Sequence, residues 1–110
     1  MINWGRVEEL KEEVGAEAFG EVIELFLEEV DEATNRIAET KDRSTLPDDL
    51  HFLKGAAMNL GFAEFAAICA EYERTAKTDG NDAPDIGLLV TCYAESKSIF
   101  MDQISGLNAA

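Results

Sequence analysis

Apolar residues recur along this chain at three- and four-residue steps, the period of a helix with one buried face. The run is clearest over residues 19–37, where Phe19, Val22, Ile23, Phe26, Leu27, Val30, Ala33 and Ile37 make one stripe. Glu21, Glu24, Glu28, Glu29, Asp31 and Glu32 fall on the other side and read as a solvated face. Before this helix the pattern predicts a short one from about Trp4 to Val14, ended by Gly15 as a C-terminal cap. After it comes a polar connection, Lys41-Asp42-Arg43-Ser44. Ser44 or a neighbour then caps a third helix, with Pro47 tolerated in its first turn, that runs to about Leu60 and stops at Gly61. A fourth helix begins near Ala63, and its stripe is Phe65, Ile68, Cys69, Tyr72 and Ala76. Asp79-Gly80-Asn81-Asp82 reads as a turn. Pro84 sits early in a last helix with the stripe Ile86, Leu89, Val90, Tyr93, Phe100, Ile104 and Leu107. The tail beyond Leu107 is expected to fray.

No segment alternates as a strand would, so the predicted fold is all-α. Four long amphipathic helices with short connections imply an up-down-up-down antiparallel four-helix bundle, and the short N-terminal helix caps one end. Residues 1–110 form a single domain, because no linker divides them and the length suffices for one core. The initiating Met1 and the short tail favour a complete small protein.

Charge narrows the partners. The net charge of −14 repels phosphate backbones and anionic lipid, which argues against nucleic acid and membrane. No apolar run approaches the about 20 residues of a membrane span. No basic-then-apolar signal segment opens the chain either. Cys69 and Cys92 match no metal or redox spacing and fall on apolar helix faces, so they read as reduced core residues of a cytoplasmic protein.

The candidate chemistry lies in the third helix. His51 is the one histidine of the chain, with Lys54 three positions on and Gly55 four positions on. On a helix both stack beside the imidazole. At 100° per residue, Leu50, Leu53, Ala57 and Leu60 share the core face. His51, Lys54, Gly55 and Met58 share the opposite one, with Phe52 and Asn59 together on a flank. Gly55 costs about 1 kcal/mol relative to alanine inside a helix. It is off the core face, so packing does not ask for it. A glycine there gives a second protein clearance to approach the imidazole, while Phe52 and Met58 add apolar contact surface. Imidazole titrates near about pH 6.5, so at neutral pH it is mostly an uncharged nucleophile able to take a phosphoryl group and pass it on. Lys54 would steady the phosphate charge. No Gly-rich phosphate loop for ATP and no carboxylate metal cluster with recognisable spacing is present, so phosphate must come from another protein. By chance, Lys at +3, Gly at +4, an apolar residue at +9 and Gly at +10 would follow about one histidine in 10,000.

The stretch His51-x-x-Lys54-Gly55-Ala56-Ala57-x-x-Leu60-Gly61 resembles the signature of the histidine-containing phosphotransfer (HPt) domain family. The likeness extends to residues 14–29, which are similar to the family's second helix, and to residues 66–73. Ala56 and Ala57 stand where many members have serine, which forgoes a possible hydroxyl hydrogen bond. The resemblance implies a phosphorelay intermediate. His51 would accept a phosphoryl group on Nε2 from a receiver aspartyl phosphate and pass it to another receiver aspartate. Lys54 would stabilise its charge and Gly55 would give docking clearance. Phe52, Met58 and Asn59 would contact the partner. The chain itself needs no cofactor, and Mg²⁺ is expected to come with the receiver. Expected partners are receiver domains of response regulators or of a hybrid histidine kinase, met by a monomer with no ATP-dependent kinase activity of its own. The competing readings are an acidic helical adaptor that binds without accepting phosphate, and a metal-binding bundle, which one histidine makes a poor fit.

Overall fold

The computed structural model describes residues 2–39, 44–78 and 85–109, with the side chains of 76–78 and 105–109 outside the description. Residues 41–43 of the expected connection, the expected turn at 79–82, Pro84, and the stripe positions Ala76 and Leu107 therefore lie outside what is described. The rest is an all-α bundle of five helices: α1 Trp4–Val14, α2 Ala16–Glu39, α3 Leu46–Leu60, α4 Ala63–Thr78 and α5 Ile86–Ala109. Among the described residues the one β feature is an isolated antiparallel bridge between Ile2 and Phe62.

The helix ends follow local chemistry. Asn3 caps α1, its side chain accepting from the backbone N–H of Arg6 at 3.2 Å. Gly15, with φ +88°, closes that helix through a bond from its N–H to the Lys11 carbonyl. Of the expected caps for α3, Ser44 or a neighbour, the neighbour takes the position. Thr45 is the N-cap of α3, without a side-chain cap bond, and Asp48 and Asp49 in the first turn supply the negative charge that helix start favours. Pro47 sits in that first turn, where its missing N–H costs nothing. Helix α5 is helical to Ala109, two residues past Leu107.

Leu50, Leu53, Ala57 and Leu60 are buried, as their angular positions predict. Ala56 is buried beside them, which gives its small size a packing reason. The long helices form a ring in which α2 and α4 each pack against α3 and α5, and among the described residues neither diagonal pair brings its backbones as close. Helix α1 packs on α2 and α3. At its end of the bundle Trp4 stacks on Phe100 at 6.0 Å, and Phe62 meets Phe100 edge-on at 5.1 Å.

Two residues depart from the expected stripes. Thr34 of α2 is buried, its hydroxyl satisfied by the Val30 carbonyl at 2.8 Å. Asp31, expected on the solvated face, instead clasps α5. It accepts from the Tyr93 hydroxyl at 2.6 Å and from Lys97 Nζ at 2.8 Å. Burial, followed by Asp31, pushes the Tyr93 phenol well above its ordinary pKa. Among the described residues no helix is long and apolar enough to cross a membrane.

Candidate functional site

Helix α3 presents His51 and Lys54 one turn apart, and α4 supplies a third group, Glu73. One carboxylate bridges both side chains: Glu73 Oε2 lies 2.9 Å from His51 Nδ1, and Lys54 Nζ donates to Oε1 at 2.7 Å. The three differ sharply in exposure. The Glu73 side chain is 6% accessible, whereas the imidazole is 70% accessible. A buried carboxylate is costly unless paired, and here an ammonium and a ring N–H offset that cost.

This pairing fixes the chemistry of the ring. A carboxylate held by a lysine ammonium accepts hydrogen bonds and has no proton to donate. The proton in the contact with His51 therefore belongs to Nδ1. In the neutral ring this contact favours the Nδ1–H tautomer, with the lone pair on Nε2, which has no hydrogen-bond partner among the described residues. A neutral imidazole with its nucleophilic nitrogen outward is what attack on phosphorus requires.

Lys54 was expected fully on the outer face. It lies at the edge of that face nearest α4 and is only 30% accessible, drawn inward by Glu73. Gly55 is exposed, and a Cβ built there would meet nothing within 4 Å, so no packing contact requires glycine. Phe52 and Met58 are exposed, at 41% and 60%. They lie on opposite sides of the imidazole. Phe52 faces a cleft on the α2 side, with Glu29, Glu32 and the Arg36–Asp49 ion pair (2.8 Å). Met58 borders a groove of about 580 Å³ between α1, α3 and α4, floored by Ala63, Ala66, Ala67 and Ala70. Lys54 and Ala70 also line the smaller cleft that holds His51, Glu73 and Arg74. Asn59 is exposed and tied to α1, its Oδ1 accepting from Arg6 at 3.2 Å. Arg6 is itself held by Glu13 at 3.0 Å and Glu9 at 3.2 Å.

Glu73 is the site residue that the sequence reading missed. A signal was present. Glu73 is one turn beyond Cys69, on the inward side of the α4 stripe, where an apolar residue belongs. A charge at a core position needs a partner, and the nearest unassigned cation and imidazole were on α3. Both cysteines are buried free thiols. Burial first, then the Cys92 and Glu73 charges, pushes the Cys69 thiol up to about 12. No group of three or more His, Cys, Asp or Glu able to hold a metal ion occurs among the described residues.

The Hpt domain family profile matches residues 21–98, a span that contains all of α3 and α4 and so His51, Lys54 and Glu73. No curated protein and no solved structure matches the chain significantly.

Proposed function

Since the chain belongs to the Hpt domain family, we propose that it is a phosphorelay intermediate whose phosphoacceptor is His51. Hpt domains carry out histidine phosphotransfer in phosphorelays and work with receiver domains. The finer assignment rests on one observation above all: the exposed ring whose Nδ1 is engaged by buried Glu73, which leaves Nε2 outward and nucleophilic.

In this reading Nε2 of His51 attacks the phosphorus of an aspartyl phosphate brought by a receiver. The P–O bond to the aspartate breaks and its carboxylate leaves with the electron pair. Transfer onward reverses the roles, with a second receiver's carboxylate as nucleophile and the imidazole as leaving group. Lys54, one turn from His51 and held by Glu73, would swing toward the arriving phosphoryl oxygens as a mobile cation. Gly55 leaves the approach to the ring unobstructed. Phe52 and Met58 offer the apolar contacts of docking, and Asn59 a polar one. Mg²⁺ would come with the receiver, matching a loose transition state stabilised chiefly by positioned charge. The partners would be receiver domains of response regulators or of a hybrid histidine kinase, engaged by a monomer.

The test is incubation of the chain with a panel of radiolabelled phospho-receivers. Acid-labile, base-stable label on the chain is the expected result, and the receiver that supplies it is a working donor. Binding to a receiver without label from any member of the panel would instead favour an adaptor that docks and accepts nothing.

A further inference from the structure

The cleft that holds His51 has two cations on its walls among the described residues, and they differ in what they would leave behind. It encloses about 290 Å³ and is lined by His51, Lys54, Ala70, Glu73 and Arg74. Lys54 is bound to Glu73 at 2.7 Å, and that carboxylate is buried. Arg74 is bound to Glu71 at 2.6 Å, and both side chains are exposed, at 66% and 59%. Taking the cation from a buried carboxylate is strongly unfavourable, because water does not replace it. Taking it from an exposed carboxylate costs little, since water does. The charge at the ring makes that difference matter. Lys54 and Glu73 cancel each other beside the imidazole. A phosphoryl group on Nε2 adds negative charge to a chain of net charge −14. The three N–H groups of Lys54 let it offer one to the phosphate while another stays on Glu73, but its charge is then divided. Nδ1 faces Glu73, so Nε2 lies on the outward side of the ring, and Arg74 follows Glu73 on the outward side of α4. A guanidinium presents a planar fork that meets two phosphoryl oxygens at once.

We propose that Arg74 binds the phosphoryl group once it is on His51, giving up Glu71 for it and so holding the loaded chain between one transfer and the next. The proposal rests on the phosphotransfer reading and adds to it a second cation with a different task. Between donor and acceptor the phosphoryl group is carried by this chain alone, with no receiver against it. Lys54 serves the ring at every stage, whereas Arg74 serves the loaded state. No covalent bond to Arg74 forms or breaks. Its guanidinium keeps its protons, only its ion-pair partner changes, and Glu71 is left to water. Because the contact exists only in the loaded chain, it weights the division of phosphate between chain and receiver.

The experiment measures how phosphate divides at equilibrium between the whole chain and one working donor receiver, at concentrations too low for the two to stay bound. Arg74→Gln is expected to move the division toward the receiver by about fivefold, the size of one exposed charge pair, with an unchanged melting temperature. Arg74→Lys should recover part of that shift, since it keeps the charge and loses the fork. Glu71→Gln should move the division the other way, and that gain should vanish when Arg74→Gln is added. A residue that only docks the receiver would slow transfer in both directions and leave the division where it was, so an unchanged division in Arg74→Gln overturns the proposal. A Glu71→Gln gain that persists in full in the double variant overturns it too, as simple repulsion by Glu71. Should Arg74→Gln not fold, ¹⁵N NMR of the wild-type arginine side chains before and after phosphorylation with phosphoramidate decides. The Arg74 guanidinium signal is expected to shift, and one that stays in place overturns the proposal. All of these negative results leave the phosphotransfer reading standing. If neither phosphoramidate nor any phospho-receiver places phosphate on His51, that reading fails, and this proposal with it.

Discussion

Gly55, inside α3, and Gly61, at its C-cap, belong to one sequence signature, yet their surroundings are opposite. At Gly55 the space a side chain would fill is open. At Gly61 it is occupied, since an added Cβ would lie 2.6 Å from the Asn3 carbonyl oxygen and 3.1 Å from Val7. Gly61 also has φ +78°, the left-handed conformation that other residues resist. It ends α3 in a Schellman pattern, with the Phe62 N–H on the Ala57 carbonyl at 2.8 Å and its own N–H on the Met58 carbonyl at 3.3 Å. Its own carbonyl accepts from the Asn3 N–H at 2.6 Å, which pins the start of the chain across the turn. One glycine is therefore required by the fold, whereas no packing contact requires the other. The two regions they mark, a packed helix end and an open imidazole face, should respond differently to substitution.

The largest effect should come from the core side. Leu53 is fully buried, so Leu53→Ala is expected to lose about 2–5 kcal/mol. Met58→Ala on the outer face should stay within about 0.5 kcal/mol in the same denaturant titration. Equal losses at the two positions would show that the face around His51 is packed rather than open.

Next in size, Gly61→Ala should cost about 2 kcal/mol or more, from the left-handed conformation and the displaced Asn3 backbone together. Unchanged thermal stability would remove the structural role assigned to that glycine. Gly55→Gln should keep or raise stability, by up to about 1 kcal/mol, while slowing phosphoryl transfer by obstructing the approach to His51. A variant that is less stable but transfers normally would reverse the contrast between the two glycines.

The smallest effect concerns the interior. Cys69 is held as a neutral thiol by burial, its pKa pushed up to about 12, and burial also raises Cys92. Alkylation at about pH 8 should be much slower in the folded protein than in the denatured chain. The sign of the linked stability follows. Below the ordinary thiol range both states are protonated and nothing changes; as pH rises through it, only the unfolded thiols ionise, so stability falls toward the folded value. The raised Tyr93 phenol acts in the same direction at higher pH. Fast modification of the native protein would show that the α4 and α5 stripes open far more readily than their packing implies.

Much of this was legible from apolar spacing. The extent of α1, the end of α3 at Gly61, the start of α4 and the outward direction of His51 all follow from three- and four-residue periodicity and from where glycine interrupts it. That His51, Lys54 and Gly55 sit together on one side of α3 was legible for the same reason, since each is defined by position on one helix. Pairings between helices were not legible. Period alone puts Asp31 on a solvated face and leaves Glu73 unassigned, because it reports which way a residue points on its own helix and nothing of what the neighbouring helix offers. Asp31 found Tyr93 and Lys97 on α5, and Glu73 found His51 and Lys54 on α3. Asn59 was read as a partner contact from its flank position, and the Arg6 guanidinium that meets it is more than 50 residues away in sequence.

The central claim is that a single exposed imidazole carries the phosphate and does little for the fold. Its most direct test is His51→Gln, measured for transfer from a labelled phospho-receiver alongside thermal stability and affinity for that receiver. The account predicts that the variant takes up no label while its melting temperature and receiver affinity match the wild type. Label on the variant, stable to base and labile to acid as in the wild type, would contradict it.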